Sequence, residues 1–268
     1  MKEFISQKNG KISRIILSEI SGISFSTVMK LLRNKDVKVN DKRVNCDVQI
    51  NVGDKITVYF NDNVIEKFTE IYSDENVLVI NKKSGFTSEE IFDAVLSKYT
   101  VAKFIHRLDR NTDGIMIFAL SSSAEEELLL GFKNRTFEKF YRAEVIGKMP
   151  KNQDTLSAYL VKDAKNSTVK IFDQKKENSV QIKTGYKVIK EDKETSTLLV
   201  KLYTGKTHQI RAHLAHIGNP IVGDGKYGDN EFNKSRKVKS QMLSAVKLIL
   251  HFEEKSKLNY LDNKVFEI

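Results

Sequence analysis

A chain of 268 residues, 40% hydrophobic and 30% charged, has room for a medium domain plus a small appendage and is too apolar for a disordered polymer. Its formal net charge of +10 favours a polyanionic partner, of which nucleic acid is the commonest for a basic protein, without separating RNA from DNA. The single cysteine, Cys46, excludes an intramolecular disulfide and a multi-cysteine zinc site and reads as a small buried hydrophobe in a reducing compartment.

In chain order, Met1-Lys-Glu-Phe-Ile-Ser-Gln-Lys8 lacks the apolar core of a signal peptide, and no later apolar run is long enough to span a bilayer. A cytoplasmic protein with no membrane partner is expected. Residues 12–60 read as a compact unit. Ile12, Ile15, Ile16 and Ile20 have helical spacing, Ser21-Gly22 breaks the helix, and Ser24 caps a second one with Val28, Leu31 and Leu32 on its apolar face. Val37 to Asn40, a turn at Asp41-Lys42, Val44 and the alternating run Lys55 to Phe60 follow as strands. Lys30, Arg33, Lys35, Lys38, Lys42 and Arg43 oppose only Asp36 and Asp41 over residues 30–43, a surface suited to phosphate contacts or simply to solvation.

Ser24-x-Ser26-x-x-x-x-Leu31-Leu-Arg33, Val37-x-Val39-Asn40 before Lys42-Arg43-Val44, and Val52-Gly-Asp54 resemble the S four-type RNA-binding domain. Asp41 stands where that family commonly has glycine, a change a turn tolerates. The resemblance implies an RNA-binding domain over residues 1–62 that uses the six cations just named. A polar passage, residues 63–70, is expected as a linker to a larger domain spanning 71–268.

In that larger domain, Glu75 to Ile80 reads as a strand and Ser88 caps a helix through Tyr99. A charged loop leads into the apolar run Ile115 to Leu120, and a second helix starts near Ser123 with Glu126 as capping-box partner. Strand patterns recur at 139–146, 179–188, 197–203 and 245–252, and a helix runs from His208 to Ile217 before Gly218. Strands in hairpin-like succession with few helices between them predict an α+β fold with a mainly antiparallel, mixed sheet.

Three segments carry chemistry. In Phe104-Ile-His-Arg-Leu-Asp-Arg-Asn-Thr-Asp-Gly114, Asp109 lies between Arg107 and Arg110, and nearby positive charge favours a charged carboxylate. Such a carboxylate serves either as a nucleophile or as half of a structural ion pair. In Gly205-Lys-Thr-His-Gln-Ile-Arg211, Thr207 is placed to cap the helix. Arg211 lies near its first turn, where a cation needs an anionic partner, and Asp109 is the candidate. In Phe137-Glu-Lys-Phe-Tyr-Arg-Ala-Glu-Val145, strand alternation puts Lys139, Tyr141 and Ala143 on one face. Tyr141 suits core packing or, in an enzyme handling a nucleobase, stacking on a base.

Other readings fail on spacing. The step from His208 to His213 rotates them apart and no Cys or nearby Glu completes a set with His216, so no metal is expected. Gly223, Gly225 and Gly228 follow a helix instead of linking a strand to one, and Val200 replaces the first glycine a P-loop ending at Gly205-Lys-Thr207 requires.

Taken together, His106-Arg-Leu-Asp-Arg110 with Thr112 and Gly114, the 205–211 segment, and Gly223-Asp-x-x-Tyr227-Gly228 resemble the family of pseudouridine synthases that modify large-subunit ribosomal RNA, some members of which act on transfer RNA. The resemblance covers residues 71–252. It implies that Asp109 is the catalytic carboxylate, Arg211 its partner, and Tyr141 the contact to the base. Arg107 then fills the space left by a flipped uridine, and Lys139 and Ile210 line the substrate site. It also implies no cofactor and a chain acting as a monomer on RNA. Two departures stand out, Lys83 in Asn81-Lys-Lys-Ser-Gly85 where the family usually has proline, and Ser244 in Leu243-Ser-Ala245 where it often has histidine. The competing reading is a non-catalytic RNA-binding or ribosome-assembly factor on the same scaffold. A carboxylate-dependent nucleoside hydrolase, which would release free uracil, is a third.

Overall fold

Ile12, Ile15 and Ile16 on one face, with Ile20 at the C-cap, make the first helix, Ile12–Glu19, and the same spacing logic gives the second, Phe25–Arg33. The computed structural model describes residues 1–20, 23, 25–59 and 67–268, with the backbone alone for Ser26. Ser21, Gly22 and Ser24, expected as helix break and cap, and residues 60–66, expected as the end of an RNA-binding domain and the start of a linker, lie outside the described residues. Two compact units make up the chain: residues 1–67 with 92–100, and residues 68–91 with 101–268.

In the first unit, Ile12, Ile15, Ile16 and Ile20 bury against Val28, Leu32, Val37, Ile50, Ile56 and Val58. A four-stranded antiparallel sheet runs in the order Lys2–Ile5, Lys55–Val58, Val37–Val39, Lys42–Val44. Its first strand was not expected, because Lys2-Glu-Phe-Ile has little apolar alternation and is held by its ladder to Lys55–Val58. The hairpin turn sits one residue earlier than expected, at Asn40 and Asp41, which adopt φ of 47° and 65°. Asp41 thus occupies a left-handed position, where Asn and Asp are the best non-glycine residues. Cys46 corrects its expectation: it is exposed. It lies on the loop after Lys42–Val44, while the apolar contacts of that region come from Val44, Val48 and Ile50. The first helix has no side-chain cap of its own; Asp47 instead accepts from the Ser13 backbone N–H and hydroxyl, both at 2.9 Å.

The second unit is built on an eleven-stranded sheet. Its path runs Thr168–Phe172, Gln153–Asp163, Val180–Glu191, Thr195–Leu202, Glu138–Ile146, Leu243–Ile249, Asp113–Ala119, Val77–Lys82, Phe68–Ser73. Short strands Val265–Glu267 and Lys103–Phe104 pair alongside it. Pairing is antiparallel except where Asp113 and Gly114 lie parallel to Ser244 and Ala245, so the fold is α+β with a mostly antiparallel mixed sheet. Phe68–Ser73 is a full strand, so residues 68–70 belong to the sheet and not to a linker, and the larger unit begins before residue 71. The strands at 153–163 and 168–172 were not expected from sequence; Ala158, Leu160 and Val169 bury in a small cluster with Ile182 and Ala212.

Gly114 is what permits the parallel contact. Its φ is +113°, and a Cβ there would lie 2.2 Å from the Ala245 carbonyl oxygen. Val79, Ile115, Ile117, Leu128, Phe137 and Leu248 belong to one buried core cluster of this unit. The helix Ser122–Asn134 is capped by Ser121, whose hydroxyl accepts from the Ala124 N–H at 3.2 Å. This displaces the expected start at Ser123 and removes the capping box with Glu126, since the residue three after the true cap is Ala124. The helix Ser88–Leu96 stops short of Tyr99. Among the described residues no helix is long and apolar enough to cross a membrane.

Candidate active site

The charged loop 105–112 enters the strand Asp113–Ala119, and buried polar groups pin it from both sides. Lys82, fully buried, donates from Nζ to the carbonyls of Arg110 at 3.0 Å and Lys83 at 3.1 Å. Burial pulls its ammonium down to about 8, against the pull of Asp113 and Asp109. Ser88 Oγ donates to the Leu108 carbonyl and accepts from the Leu108 N–H, each at 2.9 Å. Gln241 donates to Thr112 Oγ1 at 2.6 Å. Arg110, which sequence reading leaves without a role, is a clasp: its guanidinium donates to the Gly85 carbonyl at 3.0 Å and to Glu90 at 3.2 Å. His106 is structural as well. Its Nε2 accepts from the Ile117 N–H at 3.1 Å, its ring stacks on Phe132 at 4.5 Å, and burial lowers it to about 3.

Across the sheet, the helix Gln209–His216 presents Arg211. Its Nη1 donates to Asp109 Oδ2 at 2.8 Å, while Nε and Nη2 grip the fully buried Asp224 at 2.7 and 2.9 Å. Burial works against the guanidinium charge, but the bonds and charge of Asp224 and then Asp109 outweigh it and raise Arg211 further. Asp224 also accepts from the backbone N–H groups of Lys226 and Tyr227 at 2.8 and 3.1 Å. A bidentate pair whose carboxylate is further held by backbone N–H groups is the arrangement that lets a buried ion pair hold its geometry. The N-cap of this helix is His208, not Thr207, and its side chain makes no cap bond. Gln209 instead ties the preceding turn, accepting from Thr204 Oγ1 at 2.8 Å and the Lys206 N–H at 3.2 Å.

Asp109 opens into a cavity of about 430 Å³ lined also by Arg107, Phe132, Lys139, Tyr141, Ile210 and Arg211. All six residues expected from sequence for catalysis and substrate contact therefore meet at one cavity. Tyr141 is buried, and burial together with the Asp109 charge pushes its phenol up, leaving it a protonated donor. Lys139 reaches over the Phe132 ring at 5.4 Å, with its ammonium lowered by burial and by Arg135. Arg107 is largely exposed at the rim, 3.8 Å from Glu89.

The family model for RNA pseudouridylate synthase matches residues 76–216, more than half of the chain and the span holding the loop, Tyr141 and Arg211. The chain belongs to this family. It is an enzyme that isomerises uridine in RNA to pseudouridine. The chain is 29% identical over 250 residues to the ribosomal large subunit pseudouridine synthase C of Vibrio cholerae, covering 83% of this chain and 78% of the relative. Identity to the protein of the same name from Escherichia coli K12 is 28% over 252 residues, with coverages of 84% and 78%. Among solved structures, human RNA pseudouridylate synthase domain containing 1 superposes with a TM-score of 0.64 at 25% identity, over 76% of this chain and 83% of that one. The human domain containing 4 protein, at 21% identity and a TM-score of 0.57 over 68% and 83%, shares the fold.

Sequence reading missed several groups of this synthase's site. Asp224 and Tyr227 stood in the matched Gly223-Asp-x-x-Tyr-Gly228 motif, which was signal enough to flag them but not to say what they touch. Phe132 carried no signal, being one apolar residue on a helix. Ser244 gains a partner, donating from Oγ to Asp113 at 2.7 Å beside the parallel junction. The three histidines weighed for metal face separate partners: His208 meets Tyr227, His213 meets Thr184 and His216 meets Asp173.

The cations Lys30, Arg33, Lys35, Lys38, Lys42 and Arg43 belong to the first unit. All but Lys38 are exposed. Lys38 and Arg43 lie over the Tyr59 ring at 5.3 and 5.9 Å, and Arg43 also donates to the Lys35 carbonyl at 2.9 Å. Among the described residues, none of the six forms an ion pair with a carboxylate.

Proposed function

We propose that the chain isomerises specific uridines of large-subunit ribosomal RNA with Asp109 as the nucleophile. The observation that carries this reading is the Asp109 carboxylate, gripped through Oδ2 by an Arg211 that Asp224 immobilises, opening into the same cavity as Tyr141 and Lys139. The ribosomal target rests on the names of the bacterial relatives; transfer RNA is the alternative.

In the reaction the bond from N1 to the ribose breaks, the uracil turns, and C5 bonds to the same sugar carbon. C5 gives up its proton and N1 ends with one, so no redox partner or external energy enters. Asp109 attacks the sugar or the base. Tyr141 offers a ring face for the uracil, Lys139 and Ile210 bound the pocket, and Arg107 at the rim replaces the target in the RNA stack once the nucleotide has turned out. Flipping costs a few kcal/mol of unstacking, which phosphate contacts offset in a salt-dependent way.

Residues 1–62 act in this reading as an S four-type RNA-binding module. Two helices and a hairpin with six cations, none of them paired with a carboxylate among the described residues, support it. The protein works in the cytoplasm as a monomer, carrying its own RNA-binding module.

The test is Asp109→Asn. The variant should still bind ribosomal RNA in filter or gel-shift assays and form no pseudouridine; product at the wild-type rate would remove Asp109 from the chemistry. Release of free uracil by the wild type would point instead to a hydrolase. Mapping pseudouridines in RNA from cells with and without the protein names the target, and loss of a transfer RNA site alone would exclude the ribosomal assignment.

A further inference from the structure

His208 contacts the same carboxylate as Arg211 and has no part in the reaction as so far described. Its side chain is 13% exposed, and its Nε2 lies 3.8 Å from Asp109 Oδ2. Its backbone sits at φ 54°, an uncommon conformation for a non-glycine residue that persists where surroundings impose it. The ring is held from behind by Tyr227, whose hydroxyl lies 2.9 Å from Nδ1.

The protons can be assigned by counting. The Tyr227 oxygen already accepts the Val169 N–H at 2.8 Å. The phenol has one proton to give, and among the described residues the one hydrogen-bond acceptor within its reach is His208 Nδ1. Burial first of all, with Arg211 and Lys226 adding to it against the opposing charges of Asp109 and Asp224, keeps the imidazole below its ordinary value and therefore neutral near pH 7. A neutral ring that accepts at Nδ1 carries its proton on Nε2. That N–H is the one near Asp109.

The two carboxylate oxygens of Asp109 are consequently unequal. Oδ2 takes Arg211 Nη1 at 2.8 Å and has His208 Nε2 next to it, whereas Oδ1 accepts no hydrogen bond among the described residues. We propose that His208 is a positioning residue for Asp109: with its proton confined to Nε2 by Tyr227, it joins Arg211 on Oδ2 and leaves Oδ1 as the oxygen that reacts. At 3.8 Å the contact is longer than a hydrogen bond and closes as the carboxylate turns onto the bound nucleotide, since catalytic contacts are often long before substrate binds. A neutral donor suits this task better than a second cation, because it orients the carboxylate without adding a charge that weakens the nucleophile. Tyr227 also couples the two arms, since its backbone N–H donates to Asp224 at 3.1 Å and its ring lies 5.3 Å from the Arg211 guanidinium.

The inference rests on Asp109 as nucleophile, and the experiment separates the two. Pseudouridine formation is followed on deproteinised ribosomal RNA from cells lacking the protein, with wild type and Asp109→Asn run first. An inactive wild type or an active Asp109→Asn counts against the functional reading itself. Given an active wild type and an inert Asp109→Asn, His208→Ala should lower kcat about tenfold to a hundredfold with KM little changed, the worth of one hydrogen bond to a charged group. His208→Gln, whose amide N–H reaches where Nε2–H was, should recover most of that loss, whereas His208→Asn, which mimics Nδ1, should not. Tyr227→Phe should lower kcat in the wild-type background and have little further effect beside His208→Gln, which needs no tautomer lock. Wild-type kcat in His208→Ala, equal rescue by Asn and Gln, or a loss confined to KM would each overturn the proposal. Melting curves identify variants that do not fold, and if His208→Ala is one, the Gln against Asn comparison decides alone.

Discussion

The cavity beside Asp109 and the basic surface of the first unit both use cations, in opposite ways. Arg211 is buried, met by two carboxylates and fixed at each nitrogen it uses. Lys30, Arg33, Lys35 and Lys42 are exposed and unpaired with carboxylates among the described residues. Desolvated charge is costly unless matched, so the first arrangement determines geometry at the atom level. Solvated charge is cheap to hold and acts through its summed field, so the second suits a phosphate backbone whose position along the chain varies. The first should control rate and folding, the second affinity and its salt dependence.

Mutation can break that division, beginning with the site. Asp109→Ala should reduce single-turnover pseudouridine formation by about 10³-fold or more while RNA affinity stays within about twofold. A comparable drop in affinity would mean that the cavity and not the basic surface dominates binding. Asp224→Ala leaves Nε and Nη2 of a buried guanidinium without their acceptors and Asp109 as its remaining carboxylate, and should cost about 3 kcal/mol in denaturant unfolding, with Asp224→Asn milder and both lowering kcat. Unchanged stability would show that Arg211 finds solvent and that the clamp is less closed than its distances imply.

An acid titration sharpens the contrast between buried and exposed charge. His106 and His213 are held neutral, lowered from 6.5 to about 3 and about 4, in both cases chiefly by burial. The unfolded chain protonates these rings first, so the stability they contribute is whole above pH 6.5. It is lost as pH falls toward about 4, with a slope near 1.4 kcal/mol per pH unit for each ring. His213→Gln should remove one proton's worth of that slope, as read by denaturant melts from about pH 7 to about pH 4.5. The smallest effects belong to the basic surface. Replacing Lys30, Arg33 or Lys42 singly by Ala should leave kcat unchanged and weaken RNA binding modestly, with the slope of log affinity against log salt shallower by about one for each phosphate left without its cation. An unchanged slope in all three would assign phosphate binding to other residues.

The fold was unevenly legible. The helices Ile12–Glu19 and Phe25–Arg33 were readable because one stripe of isoleucine, valine and leucine faces one core. The strands expected at 139–146 and 179–188 were readable from alternation and are found at Glu138–Ile146 and Val180–Glu191. Lys2–Ile5, Gln153–Asp163 and Thr168–Phe172 were not, since such polar-rich runs become strands only by pairing, and the burial of Ala158, Leu160 and Val169 is completed by Ile182 and Ala212 from elsewhere in the chain. Cap positions slipped for the same reason: Ser121 and Ser123 are both good caps by type, and the end of the preceding strand selects between them.

Residue type and spacing by themselves left Asp109 and Tyr141 with two readings each, and the resemblance of the motifs that hold them, which are local in the chain, pointed to the family and so to its chemistry. What only the tertiary structure decided is how those groups are held. Asp109 and Arg211 lie 102 residues apart in the chain, and their contact depends on a sheet that passes through a parallel pairing at Gly114 and Ala245. Asp224 behind Arg211, Tyr227 behind His208 and Lys82 beneath Arg110 follow from the same folding. Burial turns these ordinary polar residues into a rigid support, and burial is a property of the packed sheet that no local pattern contains.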